Sequence, residues 1–235
     1  DTIAAISTPY GAGGIAVIRI SGKDAVKIAN GIFTKNILNA PSHTVHYGFI
    51  EDKGEKIDEV LLAVMRAPKT FTREDIVEIS THGGIFVTNR VLSAVISAGA
   101  RPAEAGEFTK RAFLNGRIDL SRAEAVIDLI NSENALSEQN ALSQLGGRLS
   151  GKINAMRDKL INLLAHMQVA IDYPDEELED ITTDDILNTL KDVLSEAQQL
   201  IGSADDGRII KGGIKTVIAG KPNVGKSTLL NMLSG

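Results

Sequence analysis

The spacing of apolar residues changes character twice along the chain. Thr2–Ser7 and Ile15–Ile20 are short β-branched runs, separated by the turn-rich stretch Thr8-Pro9-Tyr10-Gly11-Ala12-Gly13-Gly14. Val45–Ile50 and Lys56–Met65 flank Asp52-Lys53-Gly54, which predicts a hairpin. Asp75–Thr81 alternates Ile76, Glu78 and Ser80 with Val77, Ile79 and Thr81, and stops at Gly83-Gly84. Helical spacing then runs from Ile85 to Ala98 and ends at Gly99 and Pro102. Strands and helices interspersed without a clean repeat predict an α+β domain over residues 1–117.

Residues 118–211 read as helical. Ser121-Arg122-Ala123-Glu124 has the form of a capping box. Leu142, Leu145, Leu149, Ile153, Met156, Leu160, Leu163 and Met167 recur at intervals of three and four, which predicts one continuous helix ending at Pro174. A second amphipathic helix begins near Thr183, with Ile186, Leu190, Val193, Ala197, Leu200 and Ala204 on one face. Long helices of this kind predict an antiparallel bundle. Gly202, Asp205-Asp206-Gly207 and Gly212-Gly213 then mark a linker to a third unit, residues 212–235. That unit reads as a strand at Lys215–Ala219, a glycine loop at Gly220–Ser227 and a helix over Thr228–Leu233, the opening of a phosphate-loop α/β domain.

Composition excludes several classes. The chain of 235 residues has no cysteine, so it holds neither a disulfide framework nor a thiolate metal site. No apolar run approaches the roughly 18 residues that span a bilayer, and Asp1-Thr2-Ile3-Ala4-Ala5-Ile6 lacks the basic flank of a signal peptide. The expectation is a cytoplasmic protein without a membrane partner. The net charge of −5 is unevenly spread: +2 over residues 1–117, −10 over 118–211 and +3 over 212–235. A polyanion is therefore expected to avoid the middle unit.

The firmest chemistry lies in Gly220-Lys221-Pro222-Asn223-Val224-Gly225-Lys226-Ser227, which matches G-x-x-x-x-G-K-S. Gly220 and Gly225 let the backbone curl so that its N–H groups face phosphate oxygens. Lys226 supplies a point charge to the β and γ phosphates, the Ser227 hydroxyl is suited to ligate Mg²⁺, and the following helix presents its positive end. Gly11-Ala12-Gly13-Gly14-Ile15-Ala16 imitates a dinucleotide fingerprint, but a strand pattern follows it where the fingerprint requires a helix, so a connecting loop is expected.

The run Gly220-Lys-Pro-Asn-Val-Gly-Lys-Ser-Thr-Leu-Leu-Asn231 resembles the first motif of the translation-factor-related GTPases, in the branch with Era, Der and MnmE. Asp1–Pro9, Gly14–Gly22, Phe71-Thr-Arg-Glu-Asp75, His82-Gly-Gly84, Pro102–Leu120 and Asp172-Tyr-Pro-Asp-Glu-Glu177 are similar to the MnmE (TrmE) family of tRNA modification GTPases, in order along the chain. The resemblance implies an N-terminal domain that binds folate and forms a homodimer, a helical domain, and a GTPase domain inserted among the helices. It implies GTP hydrolysis activated by potassium, and a heterotetramer with the flavoprotein MnmG. The pair would add a carboxymethylaminomethyl-type group at carbon 5 of the wobble uridine of tRNA, with 5-formyl- or 5,10-methylene-tetrahydrofolate as one-carbon donor.

Carried over by residue, the resemblance assigns GTP contact to Asn223, Val224, Gly225, Lys226, Ser227 and Thr228, potassium to Asn223, magnesium to Ser227, and folate to Arg19, Glu78 and Arg117. Relatives commonly have Lys where Arg117 stands. A carboxylate such as Glu78 can accept the paired donors of a pterin ring, and arginines suit its carbonyl or acidic tail. Taken alone, Arg19 and Glu78 read equally well as exposed strand residues, Arg117 as a helix-end charge, and His82 as structural. No catalytic residue is assignable, and these 235 residues by themselves are expected not to hydrolyse GTP. A folate-dependent one-carbon transferase with a regulatory nucleotide site stands as the alternative. The three folate residues are expected to meet in one concave, mostly apolar pocket.

Overall fold

A computed structural model describes residues 1–172, 182–204, 207, 216–221 and 224–234, which divide into two compact units, Asp1–Val126 and Ile127–Gly235. In the first unit the period-two runs pair into one sheet. Its strands are β1 (Ile3–Ile6), β2 (Ile15–Ser21), β3 (Thr44–Asp52), β4 (Glu55–Met65), β5 (Ile76–His82) and β6 (Arg101–Pro102), in the order β3-β4-β5-β2-β1-β6. Only the β1–β6 pair is parallel. The predicted hairpin closes with Lys53 and Gly54 both at positive φ, as a two-residue turn between twisted strands requires.

Alternation along each strand divides the sheet into two faces. Ile18, Ile20, Leu62, Val64, Val77 and Ile79 form the core with residues of α1 (Ala25–Ile32) and α2 (Ile85–Ser97), among them Ala25, Ile28, Val91 and Val95. Each of these Val, Leu and Ile side chains stabilises the fold by about 1.5–3 kcal/mol on burial. The intervening residues face the other way, and along one register row Val45, Ala63, Glu78, Arg19 and Ala5 are neighbours. Helix α3 (Glu107–Leu114) follows β6.

Helix α4 (Leu120–Ile130) contains the boundary between the units. Asp119 caps it, accepting the Arg122 amide at 3.0 Å and the Ser121 hydroxyl at 2.8 Å, so the expected cap at Ser121 moves two residues upstream. The expected continuous helix is broken. α5 (Ala135–Leu145) and α6 (Arg148–Asp172) are separated by Gly146-Gly147, with Gly147 at φ 89. A glycine in the left-handed region ends a helix at no steric cost, and the uninterrupted apolar spacing concealed it. α7 (Thr183–Gly202) opens with a capping box of Thr182 and Asp185, and Lys159 of α6 meets Glu196 of α7 at 2.6 Å. α8 (Lys226–Ser234) follows the glycine loop. Of the strand expected at Lys215–Ala219, the described residues 216–219 do not adopt strand structure. Pro174, the linker positions 205–206 and 212–213, and Lys215 lie outside the described residues.

An ion network fastens α3 to the sheet edge. The Glu107 carboxylate, 7% exposed, accepts Arg101 Nη2 at 2.6 Å and Nη1 at 2.9 Å, the Glu104 amide at 2.8 Å, and Arg111 Nη2 at 3.2 Å. Arg101 first, then the backbone amide and Arg111, hold its carboxyl down to about 2 against a residual burial effect in the other direction. A depressed carboxyl adds stability above its unfolded value, 4.5, and loses it as pH falls toward 2. Glu107→Gln is therefore expected to cost about 2–3 kcal/mol at pH 7. The gap from wild type should narrow between pH 4.5 and pH 2, read from urea midpoints across that range. A gap that stays constant with pH would show that the charge on Glu107 carries none of it.

Candidate functional site

The β2–β5 register places Arg19 directly opposite Glu78. Arg19 Nε donates to Glu78 Oε1 at 2.8 Å and Nη2 approaches the same oxygen at 2.7 Å, so both contacts use one carboxylate oxygen and Oε2 remains able to accept a further donor. Both side chains are a little over one-quarter exposed. Two aromatic rings flank the guanidinium: Arg19 Cζ lies 5.6 Å from the Phe71 ring centre and 5.5 Å from that of Phe108, which α3 supplies. Arg117 comes to the same place from a distant part of the sequence. Its Cζ is 4.9 Å from the Phe71 ring centre, and its Nη1 donates to the Phe71 carbonyl at 3.2 Å.

Arg19, Glu78 and Arg117 thus converge about Phe71. The concavity expected for them is not one of the two described in this unit. The larger, about 310 Å³, is bounded by Asp24, Lys27, Ile28, Ala98 and Gly99, and the smaller, about 10 Å³, lies beside Tyr10 and Ile85. The three residues form a shelf on the sheet face opposite α1 and α2, bordered by α3 through Phe108. Arg19 is already held by Glu78 and two rings, which suits it to fixing the carboxylate rather than to reaching a ligand. Phe71 and Phe108 escaped sequence reading. They are ordinary apolar residues by pattern, and only long-range packing makes them the plates of this shelf.

At the other end of β5, His82 Nδ1 meets Asp58 Oδ1 at 2.6 Å and the His82 amide donates to Asp58 Oδ2 at 2.8 Å. The glycines beyond it have a steric role. Gly83 exchanges backbone hydrogen bonds with the Gly13-Gly14 loop, and a Cβ on Gly83 would lie 2.5 Å from the Gly13 carbonyl oxygen. The fingerprint-like Gly11–Ala16 segment leads directly into β2, which makes it the expected connecting loop.

In the second unit, Val224 and Gly225 precede α8, and Lys226, Ser227 and Thr228 form its first turn. The Leu229 amide donates to the Gly225 carbonyl at 2.9 Å, so the amides before it stand at the N-terminal turn of the helix, where donors can meet an anion. Gly225 has φ +89, a conformation that favours glycine. Lys226 Nζ donates to the carbonyls of Gly220 at 2.9 Å and Lys221 at 2.6 Å, so the ammonium is folded into the loop it would neutralise. These features fit a bound phosphate chain with Ser227 at the position of a magnesium ligand. Asn223, the expected potassium and nucleotide ligand, lies outside the described residues.

Two family models match the chain: "GTP-binding protein TrmE N-terminus" over residues 2–117 and "MnmE helical domain" over residues 120–231. Proteins named tRNA modification GTPase MnmE are similar throughout. That of Acetivibrio thermocellus is 56% identical over 239 residues, covering 100% of this chain and 52% of the relative. The Lactobacillus johnsonii protein is 51% identical over 237 residues, with 100% and 51% covered. The Thermoanaerobacter pseudethanolicus protein is 53% identical over 239 residues, with 99% and 52% covered. The chain spans about half the length of the curated relatives it matches.

The hydrogen bond to Asp58, and then its charge, raise the His82 pKa above 6.5. The stabilisation this gives is complete below the unfolded value and is lost as pH rises through the folded one. A proton NMR titration should place the His82 midpoint above 6.5, and Asp58→Asn should lower it. An unchanged midpoint in the variant would remove Asp58 as the cause.

Proposed function

The chain belongs to the MnmE family of tRNA modification GTPases, and we propose that the protein containing it hydrolyses GTP in the course of modifying tRNA. In this reading residues 1–117 bind a reduced folate and form a homodimer, residues 118–211 form a helical domain, and residues 212–235 open the GTPase domain. The carrying observation is the assembly of Arg19, Glu78 and Arg117 around Phe71, three residues from separate parts of the sequence. With the flavoprotein MnmG in a heterotetramer, the enzyme would place a carboxymethylaminomethyl-type group on carbon 5 of the wobble uridine.

The residues have separable tasks. Glu78, with Oε2 available, accepts the paired donors of a pterin ring; Arg19 fixes the carboxylate; Phe71 and Phe108 offer π faces; Arg117 meets the acidic part of the ligand. Bound there, 5-formyl- or 5,10-methylene-tetrahydrofolate supplies the one-carbon unit. The amides of Val224, Gly225, Lys226, Ser227 and Thr228 cradle GTP, Ser227 ligates magnesium, and Asn223 holds an activating potassium ion. The β3–β4 end of this sheet face, on which Val45, Tyr47 and Leu61 are each at least half exposed, supports the homodimer assignment.

Two variants of the full-length protein test this reading. Lys226→Ala should lower GTP turnover by at least about a hundredfold, through lost charge on the transferring phosphate, with folate binding kept. Glu78→Ala should weaken reduced-folate binding by about 1.5–3 kcal/mol, roughly ten- to a hundredfold, with GTP binding kept. Calorimetry and phosphate release read both. Unchanged turnover in the first variant would remove the loop assignment, and unchanged folate affinity in the second would remove Glu78 from the site.

A further inference from the structure

Around the Arg19–Glu78 pair the acidic side chains are committed to guanidinium groups. Glu78 holds Arg19, Glu74 and Asp1 hold Arg111, Glu107 holds Arg101 and Arg111, and Asp75 holds Arg66. Two exposed arginines differ: among the described residues neither Arg73 nor Arg117 has a carboxylate partner. Arg73 Nη1 donates to the Asn115 carbonyl at 3.0 Å and Arg117 Nη1 to the Phe71 carbonyl at 3.2 Å. Asn115 Nδ2 donates back to the Thr72 carbonyl at 2.6 Å. Segments 71–73 and 115–117 therefore clasp each other reciprocally, and each guanidinium keeps most of its five donors free.

Arg73 has φ 60, in the left-handed region, where a side chain costs roughly 1–2 kcal/mol relative to glycine. Burial does not account for a side chain here, since Arg73 is exposed. A charged residue held at a strained turn, without an acid to pair with, is suited to a ligand. The ligand's place is constrained as well, because Arg117 stacks on the Phe71 ring that also flanks Arg19.

We propose that Arg73 and Arg117 form a carboxylate clamp for the poly-γ-glutamate tail of a folate, running outward from the Phe71 ring. The proposal rests on the folate reading of the Arg19–Glu78 shelf and adds Arg73 and a preference for the polyglutamylated form. A short chain of carboxylates matches two planar forks that can each bind bidentately. An RNA backbone matches less well: the clamp is small, the acidic side chains Asp1, Glu74 and Glu107 belong to the adjoining network, and residues 1–117 are only +2 overall.

The test titrates 5-formyl-tetrahydrofolate carrying one or five glutamates into the full-length protein by calorimetry. Wild type should bind the pentaglutamate about tenfold more tightly, by one additional charged contact, with the advantage shrinking as salt rises. Arg73→Gly suits the left-handed turn, so its melting temperature should not fall. It should erase the advantage and leave monoglutamate affinity intact, while Arg73→Lys should restore part of it. Equal affinity of wild type for the two forms would overturn the clamp and leave the folate shelf standing. Failure of both forms to bind would overturn both. A pentaglutamate advantage that survives Arg73→Gly, or an anticodon stem-loop RNA whose binding Arg73→Gly weakens while the glutamates make no difference, would also overturn the clamp.

Discussion

Strand β2 lies against β5 so that Ile18 meets Ile79, Arg19 meets Glu78 and Ile20 meets Val77. Because side chains alternate, this one register assigns both faces of the sheet together. A slip of β2 by a single residue would turn Arg19 away from Glu78 into a space filled by α1 and α2, and turn Ile18 and Ile20 toward solvent. The penalty for that slip is a buried guanidinium without its carboxylate together with two exposed aliphatic side chains, each worth about 1.5–3 kcal/mol. The hydrophobic core therefore holds the candidate ligand carboxylate in place without touching it.

The second constraint is the clasp and ion network that bring the segment after β6 back to the sheet. Glu107 gathers Arg101 and Arg111, Arg111 reaches Glu74 and Asp1, and Ser21 at the end of β2 donates to Glu74 at 2.8 Å. Phe108, one residue after Glu107, is thereby set beside Arg19, and Arg117 at the far end of α3 is set over Phe71. Most of these charges are partly exposed, so their individual contributions are small. Glu107 differs because it is buried and multiply bonded, and the position of α3 depends on it more than on the rest.

Legibility in the sequence followed how local each feature is. The phosphate loop is contiguous, and Lys226, Ser227 and the glycines at Gly220 and Gly225 were readable as a unit because loop geometry is set within a few residues. Strands β1 to β5 were readable for the same reason, since alternation is a nearest-neighbour property, whereas the two-residue β6 was not. The break at Gly146-Gly147 was not, because the apolar spacing continued across it and only backbone conformation records the stop. The start of α4 was misplaced because Asp119, two residues upstream of Ser121, accepts the Arg122 amide and so caps the helix earlier. The roles of Phe71, Phe108 and Arg73 were beyond pattern reading, since their partners Arg19 and Asn115 are separated from them by long stretches of chain.

That difference in locality has an energetic consequence for the two candidate sites. The loop at Gly220–Ser227 needs only a short segment to be in order, so its geometry depends weakly on the packing of the first unit. The shelf at Arg19, Glu78 and Arg117 exists only while β2 pairs with β5, α3 is pinned by Glu107, and Asn115 and Arg117 hold the Thr72 and Phe71 carbonyls. Each of those conditions is itself cooperative with the core. A core substitution far from the shelf, such as Ile79→Ala at about 2–5 kcal/mol, withdraws free energy from the register that sets Glu78 opposite Arg19. The non-local site is thus the one whose affinity tracks the stability of its own unit, and the strain at Arg73 is tolerable only because that unit holds it.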